Sequence, residues 1–147
     1  MNSNFPKGLG FVLEKEGYKT DDPNDPGKLT IWGFSIVYHP VEVARMAKMS
    51  KEEAMKYASE LYLKKYWLPA GCDLLPYPKD MIIFDVAINP GFKLVRQLKS
   101  GTGSWQDYLF DRIEYYSDRV KENPAKIIYF RGWINRTLAL KDLVAHS

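Results

Sequence analysis

Glu16, Asp25 and Thr30 are the residues whose types and spacing best suit acid and base chemistry in this sequence. They lie in residues 14–33, EKEGYKTDDPNDPGKLTIWG, where acids are mixed with prolines and glycines. A protonated carboxyl group can deliver a proton to a leaving oxygen, while a second group stabilises charge or activates water. The set therefore suits cleavage of a glycosidic bond. Acids flanked by proline and glycine are also typical of solvated turns, so the residues alone leave both interpretations open.

The surroundings of the two acids predict different roles for them. Burial among Tyr18, Trp32 and Phe34 would raise the pKa of Glu16, because desolvation disfavours a carboxylate. Glu16 would then act as the acid. Asp25 lies in a proline-rich turn, where we expect it to stay hydrated and ionised. The nearby threonine could orient a water molecule by hydrogen bonding.

A short helix over residues 5–15 is expected to position the acid. Apolar residues recur at helical spacing along this stretch, and Gly17 follows as a helix-ending residue. Glu14 competes with Glu16 for the acid role on sequence alone. Residues two positions apart on a helix point about 200° away from each other, so only one of these acids can face a given site.

Metal binding is the first alternative for this stretch, because DDPNDPG superficially resembles a calcium loop. Asp25 falls out of phase with that pattern, and position twelve counted from Asp22 is Gly33, where a bidentate glutamate is required. The two histidines, His39 and His146, have no paired ligand at a zinc-like interval. No glycine-rich phosphate loop follows a predicted strand. We therefore expect no metal and no cofactor.

The composition is typical of a globular chain with one hydrophobic core. The 147 residues are 46% hydrophobic and 27% charged, and the longest apolar run, MIIFDVAI at 81–88, is interrupted by Asp85. That run is far shorter than the roughly 18 to 20 residues that cross a bilayer, so no membrane insertion is expected. A single cysteine, Cys72, excludes an internal disulfide and is expected to be a small buried residue. The scattered basic residues predict no nucleic-acid partner, and a monomer is expected.

Helix signals dominate the rest of the chain, which predicts a mainly α fold. Ser50 with Glu53 and Ser104 with Asp107 have the spacing of capping boxes. The run at 81–88 fits a helix or a buried strand. Five or six helices are expected, over residues 5–15, 51–67, 81–88 and 105–116, from Asn123-Pro124 onward and over about 133–144, with a loop at 68–78 and a possible hairpin at 28–38.

The stretch EGYKTDDPNDPGKLTIWG resembles the signature of the family 108 glycoside hydrolases, phage-type N-acetylmuramidases, approximately E-G-G-Y-x-x-D-P-x-D-P-G-G-x-T-x-x-G. Further segments resemble other parts of that family and of its associated C-terminal region: SKEEAMKYASELYLKKYWLPAGCDLLP, FDVAINPG, RIEYYSDR and FRGWINR. The resemblance covers nearly the whole chain. The positions that match the signature without gaps are Glu16, Gly17, Asp22, Pro23, Asp25, Pro26, Gly27, Thr30 and Gly33.

The resemblance implies one compact lysozyme-like domain over residues 1–147, with the catalytic signature in 1–84 and a helical, peptidoglycan-binding-like half in 85–147. It implies hydrolysis of the β-1,4 bond between N-acetylmuramic acid and N-acetylglucosamine in peptidoglycan glycan strands. Glu16 matches the family's catalytic acid, and Asp25 and Thr30 approximate its partners. Aromatic residues in helical domains more often belong to the core, yet some are candidates for sugar binding. The candidate substrate-binding residues are Tyr18, Trp32, Trp67, Asn89 and Trp133.

Three positions depart from the signature, where Tyr18, Lys19 and Lys28 replace a glycine, a tyrosine and a glycine. These replacements leave a second function open, in which the protein is a module that binds the cell wall, or a phage structural module, and does not cut peptidoglycan. A lytic transglycosylase that uses Glu16 alone and leaves anhydro ends is a third alternative. No signal peptide is expected at the N-terminus. The chain would then be made in the cytoplasm and reach the wall through a holin or another export route.

Overall fold

A computed structural model describes residues 4–21, 24 and 28–146 of the chain. This part of the chain is 71% helical and contains seven α-helices and a three-stranded antiparallel sheet, which confirms the mainly α class and is consistent with a lysozyme-like fold. Its contacts divide it into two compact units. The first unit spans Phe5–Lys65, and the second contains the remaining described residues. The single domain expected from the sequence stays a prediction.

The first unit combines three helices with the whole sheet. Each helix buries one side against the core of this unit: Val12, Val43 and Ala58, one from each helix, are fully buried. The capping box of Ser50 and Glu53 is present at the start of the third helix, as predicted. The elements are α1 (Phe5–Glu16), β1 (Lys19–Asp21), β2 (Leu29–Ile31), β3 (Phe34–Ser35), α2 (Pro40–Met46) and α3 (Lys51–Tyr62). A π-helical turn, Leu63–Trp67, begins in this unit and ends in the second.

The predicted hairpin at 28–38 is confirmed by the antiparallel pairing of β2 with β3, in which Ile31 lies opposite Phe34. Both residues of the connecting turn have positive φ, 48° at Trp32 and 88° at Gly33, as in the turns that suit the twist of a two-residue hairpin. The sheet also contains β1, which the sequence did not predict. All three residues of β1 are exposed, so they carry no apolar alternation that could have indicated a strand.

The second unit is built around α4 (Lys79–Ile88), whose residues 80–87 are all buried. A helix buried on every side has no clear amphipathic period, which explains why the sequence left a strand open beside the helix. The expected loop at 68–78 contains turns and one short 3₁₀ helix, Cys72–Leu74. The other elements are α5 (Phe92–Ser100), α6 (Trp105–Glu122), a second 3₁₀ helix (Pro124–Lys126) and α7 (Ile127–Ala145).

The expected number of helices, five or six, was wrong, because α2 and α5 were not predicted. The first is only seven residues long, and the second follows the turn residues Pro90 and Gly91, which favoured a loop. The capping box at Ser104 is confirmed. However, α6 continues six residues past its predicted end at 116, and α7 begins at Ile127, not near 133. The first four residues of α7, IIYF, form a continuous apolar run and therefore show no helical period, although most of them are exposed in the structure.

None of the helices within residues 4–21, 24 and 28–146 combines the length and the apolar character that crossing a bilayer requires.

Candidate active site

Glu16 is the last residue of α1 and is half-buried. The helix ends there because Gly17 adopts a left-handed conformation, with φ of 75°, and donates its amide hydrogen to the carbonyl of Leu13 at 3.0 Å. This is the usual geometry of a glycine that follows a helix C-terminus. Glu14, two residues earlier and therefore about 200° away around the helix, is exposed. The two competing acids therefore occupy different environments.

The aliphatic part of the Glu16 side chain packs against the backbone of the hairpin turn. A Cβ atom added to Gly33 would lie 2.9 Å from Cγ and 3.1 Å from Cβ of Glu16, and closer still to the hydroxyl of Tyr62. That hydroxyl donates a hydrogen bond of 2.7 Å to the carbonyl of Trp32. The end of α1 and the end of α3 therefore both approach the β2–β3 turn. The Glu16 side chain is positioned by packing against this turn, which the Tyr62 hydrogen bond holds to α3.

Gly33→Ala is expected to lower the free energy of unfolding by more than about 1 kcal/mol, because alanine disfavours a positive φ and its Cβ would collide with Glu16 and Tyr62. Gly10→Ala is the matched control, since Gly10 lies in α1 with open space around it, and this change should be neutral or stabilising by up to about 1 kcal/mol. Urea denaturation measures both. Equal stabilities of the two variants would contradict this account of the turn.

Thr30 lies in the centre of the sheet and is half-buried. It pairs with Thr20 on β1 and with Ser35 on β3. Directly opposite residues of antiparallel strands place their side chains on the same face, so three hydroxyl-bearing residues form a row across the sheet. Asp25 lies outside the described residues. Two of the three predicted acid-base residues, Glu16 and Thr30, are thus found in the first unit.

Two predicted sugar-binding aromatics are buried. Trp32 is 8% exposed, its indole N–H donates to the carbonyl of Lys51 at 3.2 Å, and its ring lies 5.2 Å from that of Tyr18. Trp67 is fully buried and meets the ring of Phe84 edge-on. Stacking on a sugar requires an accessible ring face. Sugar contact by these two tryptophans stays a prediction that their burial does not favour, whereas Tyr18 is only half-buried.

Asn89 and Trp133, two more candidates for sugar binding, lie in the second unit and are both half-buried. Tyr116 connects them: its hydroxyl donates to Oδ1 of Asn89 at 3.0 Å, and its ring stacks on that of Trp133 with centroids 4.8 Å apart. Arg112 donates to the carbonyl of Asn89 at 2.6 Å and to the same tyrosine hydroxyl at 3.2 Å. The conformation of Asn89 is therefore held through its side chain and its backbone.

A buried ion cluster lies beside Asn89 and was not predicted from the sequence. Asp85, on α4, is buried and lies 2.8 Å from Nη1 of the buried Arg112 and 2.8 Å from Nη2 of Arg136. The first contact is an ion pair without hydrogen-bond alignment, and the second is a hydrogen bond. Burial alone raises the pKa of Asp85, but the two guanidinium groups outweigh it and hold its pKa below the ordinary 3.8.

The cluster joins three of the segments that carry the resemblance and that lie far apart in the sequence. Asp85 belongs to FDVAINPG, Arg112 to RIEYYSDR and Arg136 to FRGWINR. The signal for this cluster in the sequence is the acid within the apolar run of residues 81–88. An acid at the centre of a fully buried helix requires a buried counter-charge, so that position predicted a cationic partner elsewhere in the chain.

Cys72 is buried, in agreement with the sequence analysis. Desolvation raises the pKa of its thiol to about 12, with a further contribution from the negative charge of Asp80. We expect the folded protein at pH 8 to react with a thiol reagent such as dithionitrobenzoate at least 100-fold more slowly than the urea-unfolded protein, because the thiolate is the reactive species. Rapid labelling of the folded protein would contradict this environment.

Within residues 4–21, 24 and 28–146, no three histidine, cysteine, aspartate or glutamate side chains group together in a way that could hold a metal ion. Asp22 and Asp25, which the calcium-loop comparison involved, lie outside the described residues.

The fold and the site describe a mainly helical protein with a half-buried glutamate packed beside a small sheet. A sequence model of the glycosyl hydrolase 108 family matches residues 9–91, which is more than half of the 147 residues. The chain therefore belongs to this family, and membership supports a glycoside hydrolase that acts on peptidoglycan. Comparison with curated proteins and with solved structures gave no match. The predicted similarity of the C-terminal helices to a peptidoglycan-binding region stays a prediction.

Proposed function

We propose that this protein is an N-acetylmuramidase that hydrolyses the β-1,4 bond between N-acetylmuramic acid and N-acetylglucosamine, with Glu16 as the general acid. The observation that carries the proposal is the packing of the Glu16 stem against Gly33, in a chain that belongs to a glycoside hydrolase family. A general acid has to be held within hydrogen-bond reach of the leaving oxygen. Packing of the stem against the β2–β3 turn, which is itself bonded to α3, restricts the carboxyl group in the way that this task requires.

The second half of the reaction is assigned to Asp25 and Thr30. We propose that Asp25 stabilises positive charge on the sugar or activates water, and that Thr30 orients the water by a hydrogen bond. The position of Thr30 in a row of hydroxyl-bearing residues supports a polar surface there. Tyr18, Asn89 and Trp133 are proposed as sugar contacts because each is partly accessible and carries a polar or aromatic group suited to a sugar.

The products released from peptidoglycan test the proposed bond. Purified protein is incubated with sacculi, and the soluble fragments are analysed by mass spectrometry before and after borohydride reduction. Reducing N-acetylmuramic acid ends are expected. Reducing N-acetylglucosamine ends would mean that the other glycosidic bond is cut, and 1,6-anhydro ends would identify a lytic transglycosylase, so either result would overturn the proposal.

A non-catalytic wall-binding module is the alternative from a different class. Its basis is the replacement of signature residues at Tyr18, Lys19 and Lys28. The same incubation separates this alternative, because a binding module would sediment with the sacculi and release no fragments. Reverting Tyr18 and Lys28 to glycine would then show whether these replacements had removed the activity.

A further inference from the structure

An exposed apolar surface with basic residues at its edge surrounds α2 in the first unit, and the proposed function does not use it. Val37, Tyr38 and Val41 are 52%, 81% and 58% exposed. Arg45 follows Val41 at position i+4 and so lies on the same side of the helix, and Lys48 lies in the turn that directly follows α2. We call this the α2 surface; it consists of Val37, Tyr38, Pro40, Val41, Ala44, Arg45 and Lys48, of which the last five line an open concavity of about 420 Å³.

Local hydrogen bonds hold the apolar side chains of the α2 surface outward. The amides of Tyr38 and His39 donate to the carbonyl of Ser35 at 3.2 and 2.8 Å, and the amide of Val37 donates to its hydroxyl at 3.1 Å. On the opposite side of α2, Val43 and its neighbour in the next turn are buried in the core. If α2 rotated to bury its exposed side, the buried side chains of its opposite side would be exposed to water. The exposure is therefore a fixed property of this turn and helix.

The charge of the α2 surface is positive. Glu42 is the single acid among residues 37–48, and Lys65 pairs with it at 3.1 Å. Hydrogen bonds from its own backbone and from Lys65 lower the pKa of Glu42, so this acid stays ionised and neutralised by its partner. Within the described residues neither Arg45 nor Lys48 has an acidic side chain within 4 Å, and Arg45 meets only the hydroxyl of Tyr57, at 3.5 Å. Among the described residues, the positive charges of Arg45 and Lys48 are therefore not neutralised by an acidic side chain.

We propose that the α2 surface docks on an anionic lipid bilayer. Amphipathic surfaces that rest on membranes combine exposed apolar side chains, an aromatic residue at the level of the headgroups and cations that pair with anionic lipid. Tyr38 supplies the aromatic residue, the two valines supply the apolar centre, and Arg45 and Lys48 supply the positive charge. A polyanion such as a wall polysaccharide would use the cations but not the valines. The proposal does not depend on the glycosidase activity.

Flotation of the full-length protein with lipid vesicles tests this surface. The vesicles contain phosphatidylglycerol and phosphatidylcholine at 3:7, and pure phosphatidylcholine vesicles provide the neutral comparison. The protein is expected to float with the anionic vesicles and to partition at least 10-fold less onto the neutral ones. Raising the salt concentration from about 0.1 M to about 1 M should release it, because screening shortens the reach of the charges.

Two double variants separate the apolar and the charged contributions. Arg45→Gln with Lys48→Gln should lower partitioning about 25-fold, since each cation near an anionic surface contributes roughly a factor of five. Tyr38→Ser with Val41→Ser should lower it at least 10-fold. All four positions are exposed, so the helical circular dichroism and the unfolding midpoint should stay unchanged.

Matched controls lie in the second unit. Phe110→Ser with Leu138→Ser removes two exposed apolar side chains, and Lys121→Gln with Lys126→Gln removes two exposed cations. Both controls should float like the unchanged protein. The proposal is overturned if the unchanged protein does not float, if it floats equally with neutral vesicles, or if the α2-surface variants float as well as the controls. Binding that needs the cations but not Tyr38 and Val41 would indicate a polyanionic partner and would also overturn it.

Discussion

Glu16→Gln is expected to lower the rate of peptidoglycan cleavage by roughly 10²- to 10⁴-fold, the usual contribution of a general acid. Glutamine has nearly the same size and shape as glutamate, but its amide cannot deliver a proton to the leaving oxygen. The loss should therefore appear mainly in kcat, with little change in KM. The measurement is the initial rate of release of reducing ends from sacculi at a fixed pH.

Glu14→Gln is the matched control, because it makes the same chemical change two residues earlier on α1 at an exposed position. It should retain nearly full activity. The unfolding midpoint of Glu16→Gln should also stay close to that of the unchanged protein, since the aliphatic stem that packs against Gly33 is preserved. Full activity of Glu16→Gln, or loss of activity in Glu14→Gln alone, would refute the assignment of the acid.

Asp85→Asn is expected to lower the free energy of unfolding by about 3–5 kcal/mol, the range found when one partner of a buried ion pair is removed. The change leaves Arg112 and Arg136 facing each other without their shared counter-charge, and Arg112 is fully buried. Asparagine has nearly the same shape as aspartate, so the effect reports charge and not a cavity. Urea denaturation followed by circular dichroism measures the difference.

Glu122→Gln provides the surface control for this prediction. Glu122 also pairs with an arginine, Arg119, at 2.7 Å, but its side chain is largely exposed. A solvent-exposed pair contributes at most about 1 kcal/mol. Destabilisation of similar size in both variants would contradict the importance of burial at Asp85.

The stability contributed by Asp85 should depend on pH in a defined direction. Its pKa in the folded protein lies below the ordinary 3.8, so the unfolded chain binds a proton at higher pH than the folded chain does. The contribution is complete well above pH 3.8 and declines as the pH falls below that value toward the depressed folded pKa. The difference in unfolding free energy between the unchanged protein and Asp85→Asn should therefore be constant near neutral pH and shrink in acid. A difference that grows in acid would mean that folding raises the pKa of Asp85, which would contradict this account.

Local hydrogen bonding explains why several features were predictable. The capping boxes at Ser50 and Ser104 join residues only three positions apart, and Gly17 ends α1 through its own conformational freedom. Such interactions form within one turn of chain, so their residue types and spacing are sufficient to indicate them. The Trp32-Gly33 turn is equally local, and the hairpin that it closes was expected near its observed position.

Helices without a clear apolar period were harder to predict. Residues 80–87 are buried on every side, and α7 starts with a continuous apolar run over residues 127–130 that is largely exposed, so neither segment shows the one-sided pattern on which the prediction relied. Helix α2 is short and exposes Val37 and Val41 nearby, which obscured its amphipathic character. In these segments the surroundings in the folded protein, and not the local sequence, decide which side chains are buried.

The sequence by itself determined the mainly α class, the end of the first helix at Glu16 and the resemblance to family 108, because these depend on residue types at fixed short spacings. Only the tertiary structure decided that Trp32 and Trp67 are buried, and that Asp85 meets Arg136, 51 positions away along the chain. Burial and long-range ion pairing depend on which elements pack together. Short sequence patterns do not specify that packing, because it results from the shapes and apolar areas of the whole chain.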